Sequence, residues 1–210
     1  MSFYGGHHFM KNRLGSDQVY LYPTDTVWGM GSNIFSKNGY EKILALKGAR
    51  ENKPFSIMFS SVEQIKEFFV IPRNWNILEL EKVLKMECTL GFPKKWAKIE
   101  IPEWLTSDSP FIALRCLDTI EIKYIIEKEK APITTTSLNR SNFPPATSLE
   151  DAKIFEKDHQ GLCELVNFSN GKISENPSTI VFFEDEKKFK IHRMGKNGEE
   201  IEKRLRLFST

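Results

Sequence analysis

The sequence predicts an α/β (α+β) fold: a twisted mixed β-sheet with flanking helices and a concave ligand-binding face. Three observations predict it. Short apolar runs bounded by turn residues alternate with stretches of helical spacing. Several of those runs open into small polar residues and glycines, as strands of open α/β sheets do where they bind ligands. The last three strands read as antiparallel, so the sheet is mixed. With 210 residues and no internal repeat or linker, a single domain spanning 1–210 is expected, with 1–16 a loose N-terminal segment.

The elements follow in order. His7 and His8 could bind a metal, but they sit in a stretch that reads as a frayed terminus. Residues 19–22 are an apolar strand, and Pro23, lacking an N–H, is expected to stop its ladder. Gly29 and Gly31 then allow positive φ or close approach to a ligand. Tyr40, Ile43, Leu44 and Leu46 fall at helical spacing, and that helix ends at Lys47 and Gly48. Residues 55–59 are a strand, and Ser60-Ser61 caps a helix through Ile65, Phe68 and Phe69. Residues 75–84 form an amphipathic helix and 85–92 a strand, whereas 93–109 show neither period. Residues 111–115 are a strand, 120–126 a helix and 131–136 a strand rich in β-branched residues. A loop over 137–147 leads to Ser148-Leu-Glu-Asp151, a capping box. Residues 162–166, 178–183 and 189–193 are strands, with a hairpin turn at Asp185-Glu186, and 198–207 is a closing helix.

Composition narrows the function. A net charge of +2 is too small to imply a nucleic-acid binder by bulk charge, and it leaves room for a local basic face. Cys88, Cys116 and Cys163 form no Cys-x-x-Cys pair and read as reduced thiols of a cytoplasmic protein. No run approaches the ~18 apolar residues of a membrane span.

Five stretches carry the chemistry. Tyr20-Leu-Tyr-Pro-Thr-Asp-Thr-Val-Trp-Gly-Met-Gly31 ends a strand in oxygen-bearing side chains; Thr-Asp-Thr equally suits a plain turn. Lys47-Gly-Ala-Arg50-Glu-Asn-Lys53-Pro54 gathers three cations that could hold a polyphosphate, or merely cap a helix C-terminus. Thr134-Thr-Thr-Ser137-Leu-Asn139-Arg-Ser141-Asn142-Phe-Pro-Pro-Ala-Thr147 is dense in hydroxyls and amides suited to a nucleotide, or to a turn. Pro177-Ser178-Thr179 enters a strand, and Arg193-Met-Gly195 leaves one.

In this order the stretches resemble the YrdC/YciO-type family, the threonylcarbamoyl-AMP synthases, over roughly residues 17–205. The resemblance implies that the chain makes L-threonylcarbamoyl-adenylate and pyrophosphate from L-threonine, bicarbonate and ATP, most simply with Mg²⁺. The product serves N6-threonylcarbamoyladenosine formation in tRNA, so tRNA or double-stranded RNA and tRNA-modification proteins are implied partners. By similarity Thr26 and Ser178 contact threonine, and Arg115 grips its carboxylate. Lys47, Asn139, Thr147 and Arg193 contact ATP, and Lys53 lies near its phosphates. Ser137 sits between the ligands, and Lys47, Arg50 and Ser137 are the expected catalytic group. Such chemistry needs positioning and charge neutralisation rather than a protein nucleophile.

Four segments depart from the family pattern. The usual Ser-x-Asn-x-Ser-Gly ends in Ser141-Asn142, and the helix before the first strand is curtailed ahead of Asp17. Ala49 stands in the register of the family's arginine, with Arg50 one residue late. The usual Pro-Gly-Pro-x-Thr reads Lys85-Met-Glu-Cys-Thr89. The alternative is therefore a diverged YciO-like nucleotide- or RNA-binding protein without synthase activity.

Overall fold

A computed structural model describes residues 16–49, 54–169 and 171–208. Its elements are β1 (Val19–Pro23), β2 (Trp28–Gly31), α1 (Lys37–Lys47), β3 (Ser56–Phe59), α2 (Val62–Phe68), α3 (Ile77–Leu84), β4 (Cys88–Pro93), α4 (Glu103–Thr106), β5 (Phe111–Cys116), α5 (Ile120–Glu129), β6 (Ile133–Ser137), α6 (Leu149–Asp158), β7 (Cys163–Leu165), β8 (Thr179–Phe183), β9 (Phe189–Arg193) and α7 (Gly198–Phe208). The described strands form one mixed sheet in the order β7-β1-β2-β6-β3-β5-β4-β8-β9.

The helix ends are written in the sequence. Ser36, Ser61, Asn76, Thr119 and Ser148 cap α1, α2, α3, α5 and α6 by accepting backbone N–H bonds. Ser148 and Asp151 close the expected capping box. Gly48 ends α1 at φ 59°, where a side chain would have room but the left-handed backbone favours glycine.

Two expectations need correction. The last three strands are not mutually antiparallel: β7 lies parallel to β1 at one edge, and β8 lies parallel to β4 near the other. Of these three strands, β8 and β9 pair with each other, as an antiparallel hairpin. The ladder of β1 ends at Pro23 as expected, with Pro23 at its last position opposite Trp28, where a missing N–H is tolerated. The glycine stretch 28–31 is itself a strand, paired to β1 and β6. Gly31 is needed there for space: a Cβ would stand 1.9 Å from the Thr134 carbonyl oxygen. In the illegible 93–109 stretch, a 3-10 turn over Lys94–Trp96 is held by packing of Trp96 on Phe92 and Trp75, and the four-residue α4 by Trp104 on Tyr40 and by the buried Leu105.

The two faces of the sheet are covered unequally. One face packs against α1, α2, α3 and α7 through Ile43, Ile65, Leu80, Ile201 and the inward residues of the strands. On the other face, Tyr20, Tyr22, Met58 and Ile133 pack under Ile122, Ile125 and Ile126 of α5. The strand ends beyond α5 carry polar residues instead. Because side chains alternate along a strand, Ser56, Thr135, Ser137, Thr89, Ile180 and Arg115 share this face and line one cavity.

Candidate active site

That cavity, about 520 Å³, is bounded by the β1–β2 hairpin, the ends of β3, β5 and β6, the start of β4 and the segment leading into β8. Its size suits a small-molecule site. Of the residues singled out from sequence, Thr26, Arg115, Ser137, Ser178 and Arg193 line it together. They come from stretches as far apart as residues 26 and 193.

Arg115 is buried and projects from β5 to the hairpin. Its Nη1 donates to Thr26 Oγ1 at 3.2 Å, and its Nη2 pairs with the Asp25 carboxylate. The Arg115 Nε and the Asp25 Oδ2 are both buried with no hydrogen-bond partner among the described residues. The hairpin is fixed by Thr24, whose Oγ1 donates to the Val27 carbonyl at 2.6 Å. The Ser174 and Glu175 amides donate to the Asp25 and Thr26 carbonyls at 3.0 and 2.9 Å, which seats the segment leading into β8 against it.

Arg193 holds Ser178 twice. Its Nε donates to the Ser178 carbonyl at 2.9 Å and its Nη2 to Ser178 Oγ at 3.0 Å. Burial, and then the nearby positive charge of Arg115, lower the Arg193 pKa from its ordinary value. Arg115 is already paired with Asp25, whereas Arg193 has no carboxylate partner among the described residues, so an anion is favoured beside Arg193. Gly195 makes the approach possible, since a Cβ there would stand 2.5 Å from the Pro177 carbonyl oxygen.

Lys47 and Asn139 stand behind Ser137 rather than in the cavity. Lys47 Nζ donates to the Ser137 carbonyl at 2.7 Å, to Asn139 Oδ1 at 2.8 Å and to the Asn139 carbonyl at 3.2 Å. Ser137 Oγ donates to the same Asn139 Oδ1 at 2.7 Å. Asn139 lines a neighbouring cavity of about 460 Å³ with Arg140 and Phe143, and Pro145 is common to both walls. Thr147 lines a third, about 240 Å³, across Trp28. Arg50, Lys53 and the pair His7 and His8 lie outside the described residues.

Ser56, Glu175 and Asn176 also line the main cavity and were not singled out from sequence, and Thr135, from the hydroxyl-rich stretch read there, joins them. For Ser56 the signal was present: it is the polar residue of an otherwise apolar strand. For Glu175 and Asn176 there was none, because a loop has no period. The three cysteines are free, and burial pushes the thiols of Cys88 and Cys116 up to about 12 and that of Cys163 to about 11, which makes them inert. No helix among the described residues is long and apolar enough to cross a membrane.

The family profile Sua5–yciO–yrdC, described as telomere recombination, matches residues 12–195. The chain belongs to this family. Among its relatives is the threonylcarbamoyl-AMP synthase of Buchnera aphidicola, 33% identical over 174 residues that cover 80% of this chain and 93% of that one. The threonylcarbamoyl-AMP synthase of Hydrogenovibrio crunogenus is 30% identical over 136 residues, covering 63% and 71%. The fold is shared with P. abyssi Sua5, crystallised in complex with L-threonine, at a TM-score of 0.70 and 26% identity over 90% of this chain. The chain spans about half, 54%, of that longer Sua5 chain. E. coli YciO has the same fold, with a TM-score of 0.65, 18% identity and coverage of 88% and 85%. The Sua5–yciO–yrdC assignment thus agrees with the mixed sheet and with the order of the motifs.

Proposed function

We propose that this member of the family is an L-threonylcarbamoyladenylate synthase. The reading is carried by one observation: Thr26, Arg115, Ser137, Ser178 and Arg193, from distant stretches of chain, line a single cavity. It is supported by the relatives named threonylcarbamoyl-AMP synthase and by a Sua5 crystallised with L-threonine.

In this reading the threonine carboxylate lies at Arg115, whose buried Nε has a donor to give. Thr26 and Ser178 flank the amino acid. The threonine amine adds to CO₂ derived from bicarbonate and loses a proton, which gives a carbamate. A carbamate oxygen attacks the α-phosphorus of ATP, the bond to the β-phosphate oxygen breaks, and pyrophosphate leaves. Arg193 faces the charge that builds up on the phosphates, and Ser137 lies between the two substrates. Lys47 supports Ser137 and the Asn139 loop from behind. Pro145 joins the main cavity to that of Asn139, so a nucleotide spanning both would reach Asn139. Lys53 and Arg50 are assigned to the phosphates by the motif, and Thr147 to ATP. Mg²⁺ enters with the nucleotide as the counterion of its phosphates. The proposed setting is a single-domain cytoplasmic enzyme whose product is passed to tRNA modification.

Purified protein with Mg²⁺, ATP, L-threonine and bicarbonate should release pyrophosphate, and omission of threonine or bicarbonate should abolish release. Release that ignores threonine, or no release at all, would overturn the reading. The second reading, a YciO-like nucleotide- or RNA-binding protein, is favoured by Glu87, which sits at φ 56° where the family segment has prolines and a glycine. It predicts no synthesis, but tRNA binding that weakens steeply with salt.

A further inference from the structure

We propose that Thr89 is a specificity-determining residue: with Ser178 it forms a hydroxyl pair that recognises a hydroxyl group on the small ligand of the cavity. The inference rests on the synthase reading for the identity of that ligand, threonine, whose β-hydroxyl the pair would hold.

Thr89 lies on β4 and is 4% exposed, and Ser178, just before β8, is 6% exposed. Cys88 and Leu90 on either side belong to the core beneath the sheet, so the pleat turns Thr89 to the opposite face, where it lines the cavity. Thr89 Oγ1 lies 3.0 Å from Ser178 Oγ. Ser178 Oγ also accepts the bond from Arg193 Nη2.

A proton count follows. Each hydroxyl has one proton and two lone pairs, and a guanidinium only donates. One of the two hydroxyl protons fills the contact between Thr89 and Ser178. The other has no acceptor among the described residues. If Thr89 donates to Ser178, both Ser178 lone pairs are filled and Ser178 donates outward, while Thr89 keeps its lone pairs. If Ser178 donates to Thr89, Thr89 has the proton to give and each oxygen keeps one lone pair. In both arrangements the pair offers one donor and at least one acceptor. A ligand hydroxyl matches both, whereas a carboxylate matches only the donor.

The neighbouring strand completes the fit. Leu90 pairs with Leu114, so Thr89, which precedes Leu90, and Arg115, which follows Leu114 on the antiparallel β5, take adjacent places on the same face. An amino acid with its carboxylate at Arg115 would have its β-substituent beside Thr89. A methyl in place of the hydroxyl would strand a buried polar pair, and sites of this kind reject such analogues strongly.

The test is calorimetry of L-threonine and its isostere L-valine with wild type, Thr89→Val and Thr89→Ser, each variant checked for fold by circular dichroism. Wild type should bind threonine at least ~10-fold more tightly than valine; Thr89→Val should narrow the ratio to within about threefold, and Thr89→Ser should keep it. Thr89→Ala, which removes the hydroxyl without adding a methyl, should behave as Thr89→Val if the latter does not fold. A wild-type ratio retained in Thr89→Val or Thr89→Ala, or no preference in wild type, overturns the inference. The pyrophosphate assay separates the two ideas. Threonine-dependent release with an unchanged ratio in the variants leaves the synthase reading standing and removes the role of Thr89. Hydroxyl preference lost in the variants, with no release by wild type, does the reverse.

Discussion

Arg193, at the end of β9, reaches across to Ser178 and holds both its carbonyl and its hydroxyl, at 2.9 and 3.0 Å. The hairpin β8–β9 thereby fastens a cation directly to the residue that enters β8. The two contacts use the fork of the guanidinium, which an ammonium cannot reproduce. Arg193→Lys is expected to lower kcat/KM for ATP by about 10- to 100-fold while leaving the fold intact. Steady-state pyrophosphate release over a range of ATP concentrations measures it.

Arg115 and Thr26 should act mainly on the amino acid. Arg115→Ala removes the cation and leaves Asp25 half-buried beside an empty space. It should abolish threonine binding, and cost about 1–3 kcal/mol of stability because a partly buried carboxylate loses its charged hydrogen-bond partner. Thr26→Val removes the hydroxyl that accepts from Arg115 and should raise the KM for threonine about 10-fold with a smaller change for ATP. Calorimetric titration with threonine and denaturant unfolding separate the two effects.

Lys47 ties α1 to the loop after β6 through acceptors on Ser137 and Asn139. Lys47→Met should destabilise the chain by about 1.5–3 kcal/mol, the range for hydrogen bonds to a charged group. It should also raise hydrogen exchange across residues 137–147, measured by mass spectrometry.

Glu121 gives a pH dependence. It is wholly buried on α5, and its Oε1 accepts from the Phe168 amide at 3.0 Å, the Ser169 amide at 2.8 Å and Ser169 Oγ at 2.7 Å. Burial pushes the carboxyl up, but these bonds together outweigh it, and the net shift is downward. A carboxyl with a depressed folded pKa adds stability that is present above the unfolded pKa and is lost as pH falls through the folded one. Glu121→Gln should therefore unfold at lower denaturant than wild type at pH 7, and the difference should shrink in acid below the ordinary glutamate range. A difference that grows on acidification would refute this role.

Much of the architecture was legible because it is local. Caps at Ser61 and Ser148, the glycine stop at Gly48 and the β-branched run of β6 are each set by residues a few positions apart. The cavity residues Thr26, Arg115, Ser137, Ser178 and Arg193 were legible through the family order of their motifs. What failed was non-local or aperiodic. The parallel pairing of Cys88 with Thr179 joins strands some ninety residues apart, and nothing in either segment announces it. β2 has two glycines in four residues and so reads as a turn; only the close Thr134 carbonyl explains why a strand contains them. The direction of Asn139 was not legible either. Its amide is committed within the loop, with Oδ1 accepting from Lys47 and Ser137 and Nδ2 donating to the Phe143 carbonyl.

The central claim is that one cavity holds an amino acid and a nucleotide side by side. Calorimetric titration of L-threonine, alone and with a non-hydrolysable ATP analogue and Mg²⁺, tests it most directly. The account predicts saturable threonine binding that tightens at least ~5-fold with the analogue, as coupled neighbouring sites do, and that disappears in Arg115→Ala. Threonine binding that is absent in both conditions, or that survives Arg115→Ala unchanged, would contradict it.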